Sequence, residues 1–271
     1  MPRADVVFAL TWQRNSEPIG PKMAALTRWL GHRVGRPMTP RCALSYEELI
    51  PMFESGQVDV AWVPPIVYRH LARTKVARAL LVNERRGQAR FSAMIVANRE
   101  SPHAGLEKLA GARAAWVDPW SASGYVLPRL TLFERGIVAK DTFLEERFFG
   151  SHDAALRAVV SGQYDVSATF DYFEGNERVR SGLDGVPGAS ELVELHRIDD
   201  VPTDLIATRI DLDEELRAKL AGAFEAALED DAASALLRGT LGVERFRRGE
   251  PSDSLAPALD RARDAGLWTH I

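Results

Sequence analysis

The feature that most constrains the fold is a stretch of sequence that occurs twice. Residues 45–61 align without gaps with residues 151–167, an offset of 151 − 45 = 106 positions. Both copies begin with a serine and contain the pattern Ser-Gly-Gln-x-Asp-Val. The serine is typical of a helix N-cap, the glycine of a helix end, and the apolar run after it of a strand. The repeat therefore predicts a helix–strand unit in each half of the chain, and two similar α/β lobes.

Helical and strand-like segments also alternate along most of the chain. The short apolar runs that predict buried strands include 6–10, 58–63, 91–97 and 112–117. Such alternation predicts an α/β fold with mainly parallel sheets. We expect a discontinuous lobe I of residues 1–87 and 200–271 and a lobe II of residues 88–199. Ligands of open α/β sheets bind at the carboxyl ends of the strands, so a ligand cleft is expected between the lobes.

Composition and charge argue against several classes of protein. With 271 residues, 46% of them hydrophobic, the chain is long enough for two lobes with ample core. A net charge of −4 leaves no domain-wide basic excess for a nucleic acid. The single cysteine, Cys42, allows no internal disulfide and no multi-cysteine metal site. No apolar run approaches the ~18 residues of a membrane span. We expect no nucleic-acid partner, no membrane insertion, no metal and no cofactor.

The N-terminus bears on where the protein works. Met1 is soon followed by the apolar run 6–10, which is short enough for a first strand. A secretory signal has an apolar region of about 7–15 residues and a small-residue cleavage site, and neither is seen here. The expectation is a cytoplasmic protein as encoded, or a periplasmic one if the true N-terminus lies upstream.

A turn with two serines and a glycine follows the predicted strand 112–117. Ser121, Ser123 and Gly124 would stand at the start of the next helix, where the first N–H groups lack partners. These N–H groups and hydroxyls suit a small anion such as phosphate, phosphonate, sulfate or carboxylate. A serine at this place also serves as a simple helix cap, which is the alternative interpretation. The second repeat starts a further helix at Ser151 on the same rim, and two neighbouring helix N-termini favour an anion.

Four segments, 56–62, 120–128, 150–156 and 201–206, carry a resemblance to a known family. The most specific part is Ser-x-Ser-Gly-(aromatic)-x-x-Pro followed later by Gly-x-His-(acidic)-x-Ala. The chain resembles the phosphate/phosphite/phosphonate substrate-binding proteins of ABC transporters from about residue 6 to about residue 260. The resemblance implies a two-lobed type II periplasmic-binding-protein-like fold. It also implies a solute-binding protein that captures a small oxyanion-bearing ligand in the interlobe cleft, for ABC-type uptake or ligand sensing.

The resemblance implies a role for each matching residue. Ser121 and Ser123 would bind the ligand oxygens, together with backbone N–H groups at Ser123 and Gly124. His152 would donate to the same anion, and Tyr46 would line the pocket from the other lobe. The expected partners are the small oxyanion ligand and an ABC permease, or a sensor or regulator protein.

The identity of the ligand depends on positions that depart from the family pattern. Ala122 stands where many members have a hydroxyl residue, and a Val-Pro-Pro turn at 63–65 replaces a more polar one. Asp204 would meet an amino group of the ligand, where one exists. Arg90 stands where phosphonate-binding members often have a tyrosine. In the pocket it would repel an ammonium group and favour a more highly charged anion, unless Asp204 pairs with it.

The alternative function is that of a cytosolic enzyme of the same fold, acting on a small carboxylate or phosphate-bearing metabolite. The fold hosts such enzymes, and fold alone does not decide function. However, the sequence has no nucleophile elbow, no Walker loop and no His-Glu-x-x-His motif. Cys42 has no histidine near it in the sequence to activate it. No catalytic residue is therefore predicted.

Overall fold

The computed structural model describes residues 4–11, 20–85 and 87–267. The strands are β1 (Val6–Thr11), β2 (Met38–Ala43), β3 (Val60–Val63), β4 (Ala77–Glu84), β5 (Arg90–Asn98), β6 (Arg113–Trp116), β7 (Glu145–Phe148), β8 (Val166–Glu174), β9 (Glu177–Ser181), β10 (Leu192–Pro202), β11 (Leu205–Arg209) and β12 (Arg245–Arg248). The helices are α1 (Gly20–Val34), α2 (Tyr46–Glu54), α3 (Pro65–Arg73), α4 (Leu127–Glu134), α5 (Ala139–Thr142), α6 (His152–Val160), α7 (Glu214–Ala227), α8 (Asp231–Leu241) and α9 (Ala256–Asp264). A π-helical turn, Ala122–Val126, leads directly into α4.

The chain divides into two compact units, each built on one sheet. The described parts of Met1–Ala89 and Thr203–Ser252 form unit 1, and those of Arg90–Pro202 and Asp253–His270 form unit 2. The strand order is β12-β4-β11-β3-β1-β2 in unit 1. In unit 2 it is β10-β5-β8-β6-β7, with β9 paired to β8.

Both sheets are mixed, so the prediction of mainly parallel sheets is wrong. In unit 1, β1 runs parallel to β2 and β3, whereas β11 is antiparallel to β3 and β4. In unit 2, β6 runs parallel to β7 and β8, whereas β5 is antiparallel to β8 and β10. The physical reason is the connectivity: β5 and β11 each follow a crossing between the units, and each enters its new sheet in the opposite direction.

The core of unit 1 lies where α1, α7 and α8 pack on the sheet. Met23, Leu26 and Leu30 are spaced so that they share one face of α1, and all three are buried in this core. The rings of Phe8 in β1 and Phe224 in α7 meet edge to face, with centroids 5.4 Å apart. Burial of each large apolar side chain contributes about 1.5–3 kcal/mol.

Unit 2 has two apolar clusters. One contains Leu156 and Val159 of α6 together with Met94 of β5. The other surrounds Trp116, which is fully buried and whose indole N–H donates to Glu146 Oε2 at 2.8 Å. These clusters fix the carboxyl ends of β6 and β8, from which the candidate site is built.

The internal repeat of the sequence is also a repeat of strand register. Phe8 of β1 is paired with Val60 of β3, and Ala114 of β6 is paired with Val166 of β8. Both partners are shifted by the same 106 positions, since 114 − 8 and 166 − 60 give the same difference. The predicted helix–strand unit in each half of the chain is therefore confirmed.

An aspartate in each copy ties its helix–strand unit to the preceding strand. Asp59 Oδ2 accepts from a backbone N–H of β1 at 2.9 Å, and Asp165 Oδ2 accepts from the N–H of Arg113 at 2.8 Å. Burial opposes the ionisation of Asp165, but the hydrogen bonds from Arg113 outweigh it and hold the pKa of this carboxyl below its ordinary value. Gly56 and Gly162 end the two helices with φ of +72° and +73°, a left-handed conformation that favours glycine.

The C-terminal segment differs from the division expected from the sequence. The sequence-based division assigns all of 200–271 to lobe I, whereas residues 253–267 group with unit 2. The reason is packing: α9 lies against α4, and Arg261 Nε donates to Glu134 Oε1 at 2.9 Å. The amphipathic pattern of α9 predicts a helix but does not indicate which unit it joins.

Candidate functional site

The segment between β6 and α4, residues 117–126, is built around Ser121, and we call it the Ser121 turn. Ser121 Oγ accepts a hydrogen bond from the N–H of Gly124 at 3.0 Å, and the carbonyl of Ser121 accepts from the N–H of Val126 at 2.9 Å. The second bond spans five residues, which is the π-helical spacing. The helical turn begins at Ala122 with Ser121 as its N-cap, at the place where the sequence predicts the start of the helix. Its first N–H groups have no partners within the helix, so Ser121 caps one donor and leaves others available.

Gly124 lies where no side chain fits. A Cβ there would be 2.2 Å from Val117 Cγ2, 2.6 Å from Val117 Cβ and 2.8 Å from Ser121 Oγ. The glycine therefore lets the turn fold back against the end of β6. Ser123 is buried, at 5% exposure.

His152 begins α6 beside this turn. Ser151 caps the helix by accepting from the N–H of Ala154 at 3.1 Å. The N–H of Gly150 donates to the carbonyl of Val117 at 2.8 Å, so the two helix starts lie next to each other at the strand ends. Two neighbouring helix N-termini give this part of unit 2 a positive potential without any cationic side chain.

The His152 ring lies in a poorly solvated environment. Its Nδ1 is 3.0 Å from Thr169 Oγ1 of β8, and the ring meets Phe170 edge-on, with centroids 5.0 Å apart. Burial lowers the pKa of His152 from 6.5 to about 4, with the backbone carbonyl of Ala168 acting in the opposite sense. His152 is therefore neutral at pH 7 and can donate an N–H without carrying a charge.

Thr169 is a residue of this site that the sequence analysis does not find. It stands at the end of a predicted strand, and only the pairing of β8 with β6 and the packing of α6 on β8 bring it to His152. The sequence signal that could have found it is a buried polar residue near the end of an otherwise apolar strand.

Two predicted site residues belong to unit 1, whereas the Ser121 turn and His152 belong to unit 2. Tyr46 is the first residue of α2 and occupies the repeat position that His152 occupies in the second copy. Asp204 stands between β10 and β11, and its carbonyl accepts from the N–H of Asn83 at 3.1 Å. Both side chains are partly buried.

Arg90 opens β5, and its side chain is exposed. Its Nη1 donates to Asp200 Oδ1 at 2.7 Å. Asp200 has φ of +62° and lies in an irregular part of β10, opposite the start of β5. This ion pair offsets the charge of Arg90. From the sequence, Asp204 is the residue considered for this pairing.

Among the residues that the structure describes, no group of three or more His, Cys, Asp and Glu side chains could hold a metal ion. In the same residues, no helix is both long enough and apolar enough to cross a membrane.

A chain with two α/β units and a serine-capped turn at its strand ends has the architecture of the periplasmic binding proteins. Residues 8–254 match the family described as "ABC transporter, phosphonate, periplasmic substrate-binding protein". The match covers most of the chain, so the chain belongs to this family. The resemblance stated from the sequence is thereby confirmed.

A curated relative shares less than a third of its residues with this chain. The phosphate-import protein PhnD of Mycolicibacterium smegmatis is 24% identical over 199 residues, which are 69% of this chain and 61% of that protein. The chain thus spans only about three fifths of the length of this curated relative.

Solved structures share the fold. XAC2383 of Xanthomonas citri, solved with a chloride ion, has a TM-score of 0.81 at 21% identity, over 97% of this chain and 100% of that one. PhnD1 of Prochlorococcus marinus, in complex with methylphosphonate, has a TM-score of 0.76 at 19% identity, over 98% and 99%. A binding protein component of an ABC phosphonate transporter from Pseudomonas aeruginosa has a TM-score of 0.77 at 18% identity, over 98% and 89%. These likenesses confirm the two-lobed type II periplasmic-binding-protein fold.

Proposed function

We propose that this chain is a solute-binding protein that captures a small phosphorus oxyanion, such as a phosphonate, phosphite or phosphate, at the Ser121 turn. The observation that carries the proposal is the turn itself. It presents the N–H groups of a helix start, which have no partners within the helix, and beside them the hydroxyl of Ser123, a residue that is only 5% exposed. Gly124 keeps the turn close to β6, so these donors are held in place before a ligand arrives.

His152 adds a donor of a different kind. Because its ring is neutral at pH 7, it stabilises a ligand oxygen by a hydrogen bond rather than by an ion pair. Helix N-termini and neutral donors suit a charged, compact anion that must be released again, because they bind it without a permanent counter-charge. Tyr46 and Asp204 stay sequence-based proposals for contacts to the rest of the ligand, and Arg90 for the choice among ligands.

The family also supports a partner and a place of action. Substrate-binding proteins of this family serve ABC transporters and are described as periplasmic. We propose delivery of the ligand to an ABC permease, with ligand sensing as the second use of the same binding event. Fractionation of cells that express the native gene distinguishes a periplasmic protein from the cytoplasmic one expected from the sequence.

Calorimetry on matched variants tests the site. Wild-type protein should bind at least one of methylphosphonate, phosphite and phosphate with one-to-one stoichiometry. The Ser121→Ala/Ser123→Ala variant should bind that ligand about 2–4 kcal/mol more weakly, because hydrogen bonds to charged groups contribute about 1.5–3 kcal/mol each and are not additive.

The control removes a helix cap elsewhere. Asp230 caps α8 by accepting from the N–H of Ala233 at 2.9 Å, so Asp230→Ala loses a cap but no proposed ligand contact. It should lower stability and leave the affinity unchanged. If the double serine variant behaves in the same way, the serines only cap the turn and the proposed site is wrong.

A further inference from the structure

We propose that Thr169 is a positioning residue for His152: its hydroxyl donates to Nδ1 and thereby keeps the ring proton on Nε2, on the other side of the ring. The ligand-binding part of this inference rests on the proposed function, in which His152 donates to the anion. The tautomer itself is a property of the ligand-free protein and can be measured without any ligand.

The hydrogen-bond geometry supports this direction of donation. Thr169 is fully buried, and its Oγ1 lies 3.0 Å from His152 Nδ1. A buried hydroxyl proton needs an acceptor, and the ring nitrogen is the side-chain partner that the structure gives it. A neutral imidazole has one donor nitrogen and one acceptor nitrogen. If Nδ1 accepts from Thr169, the proton must be on Nε2.

The surroundings of the hydroxyl indicate that it is enclosed. A Cβ on Gly182 would lie 1.8 Å from Thr169 Oγ1 and 3.1 Å from Thr169 Cβ. The backbone N–H of Gly182 donates to the carbonyl of Phe170 at 2.9 Å, so the chain after β9 is held directly over the hydroxyl. Gly182 is required here for space, since even one methyl group would displace the Thr169 side chain. The hydroxyl is thus confined between Gly182 and the His152 ring.

The backbone carbonyl of Ala168 competes with Thr169 for control of the His152 tautomer. The carbonyl of Ala168 also faces the His152 ring and favours a proton on the nitrogen that faces it. If that nitrogen were Nδ1, the hydroxyl proton of Thr169 would be buried without the ring as its acceptor, which is unfavourable. We therefore expect the Thr169 hydroxyl to decide the tautomer.

The experiment is ¹⁵N NMR of the histidine rings of the ligand-free protein at pH 7, with His152 assigned by the loss of its signals in His152→Gln. Wild type should show the proton on Nε2. Thr169→Val, which keeps the shape but removes the hydroxyl, should shift the His152 signals toward the other tautomer, and Thr169→Ser should restore them. Gly182→Ala should also disturb the His152 signals, because the added methyl group displaces the Thr169 side chain without removing its hydroxyl.

Ser167 supplies the matched control. It is fully buried on the same strand, and its Oγ donates to the carbonyl of Ala115 at 2.7 Å rather than to His152. Ser167→Ala should lower stability without moving the His152 signals. With methylphosphonate as the probe, Thr169→Val should bind about tenfold more weakly, the loss expected from one misdirected hydrogen bond, while Ser167→Ala should bind as wild type does.

Two results would overturn the inference. One is a wild-type ring with its proton on Nδ1. The other is a Thr169→Val variant whose His152 signals and affinity match those of Ser167→Ala. If wild type binds none of the phosphorus oxyanions, the proposed function fails, whereas the tautomer measurement still decides the role of Thr169.

Discussion

Replacement of Gly124 by alanine is the sharpest perturbation of the Ser121 turn. The added Cβ would lie 2.2 Å from Val117 Cγ2 and 2.6 Å from Val117 Cβ, whereas carbon atoms in contact prefer about 3.5–4.0 Å. A rotation of Val117 would move Cγ2 but not its Cβ, so the backbone of the turn must shift by about 1 Å. The same Cβ would lie 2.8 Å from Ser121 Oγ, the acceptor of the capping bond.

The cost can be worked out from these contacts. Overpacking of a filled site typically costs about 1–3 kcal/mol. Loss of the Ser121 cap adds about 1 kcal/mol. The two costs sum to about 2–4 kcal/mol, which is the decrease that we expect in the free energy of unfolding of Gly124→Ala. The affinity for methylphosphonate should fall with it, since the N–H groups of the turn move.

Urea denaturation measures the effect, with Gly222→Ala as the control. Gly222 lies inside α7, and a Cβ there meets nothing within 4 Å, so alanine should leave stability unchanged or raise it by up to about 1 kcal/mol. The reasoning is refuted if Gly124→Ala unfolds within about 0.5 kcal/mol of wild type, which is the range of ordinary surface substitutions.

Three further outcomes are expected. The pKa of His152 is about 4 in the folded protein and about 6.5 in the unfolded chain. This difference contributes about 3 kcal/mol to the free energy of unfolding above pH 6.5, and the contribution is lost as the pH falls towards 4. Urea titrations of wild type and His152→Gln should therefore converge over this window. Asp165→Ala should cost about 2–4 kcal/mol in the same assay, because it leaves the guanidinium and N–H of Arg113 without their carboxylate, and an unchanged urea midpoint would contradict this. Arg90→Tyr should change the affinity for methylphosphonate less than about threefold in calorimetry, since Asp200 already offsets the charge; a tenfold change would place Arg90 among the ligand contacts.

Much of the fold could be predicted because its signals are local. Ser45 and Ser151 are followed by helical spacing, and Gly56 and Gly162 end the helices, so both helix–strand units are readable from the sequence. The glycine of the Ser121 turn could also be found in the sequence, because a strand, two serines and a helix surround it.

The remaining features depend on contacts between distant parts of the chain. The antiparallel entry of β11 between β3 and β4 follows from where the chain crosses between the units, which no local pattern encodes. Thr169 meets His152 only through sheet pairing and helix packing. The ion pair of Arg90 depends on Asp200. This single residue takes a left-handed backbone conformation within an irregular part of β10.

The central claim is that a phosphorus oxyanion binds at the Ser121 turn of unit 2, and a crystal structure with bound methylphosphonate tests it most directly. The account predicts phosphonate oxygens within hydrogen-bond distance of the Ser121 or Ser123 hydroxyl, of a backbone N–H of the turn, and of His152 Nε2. Methylphosphonate bound away from this turn, in crystals of a protein that binds it in solution, would contradict the account.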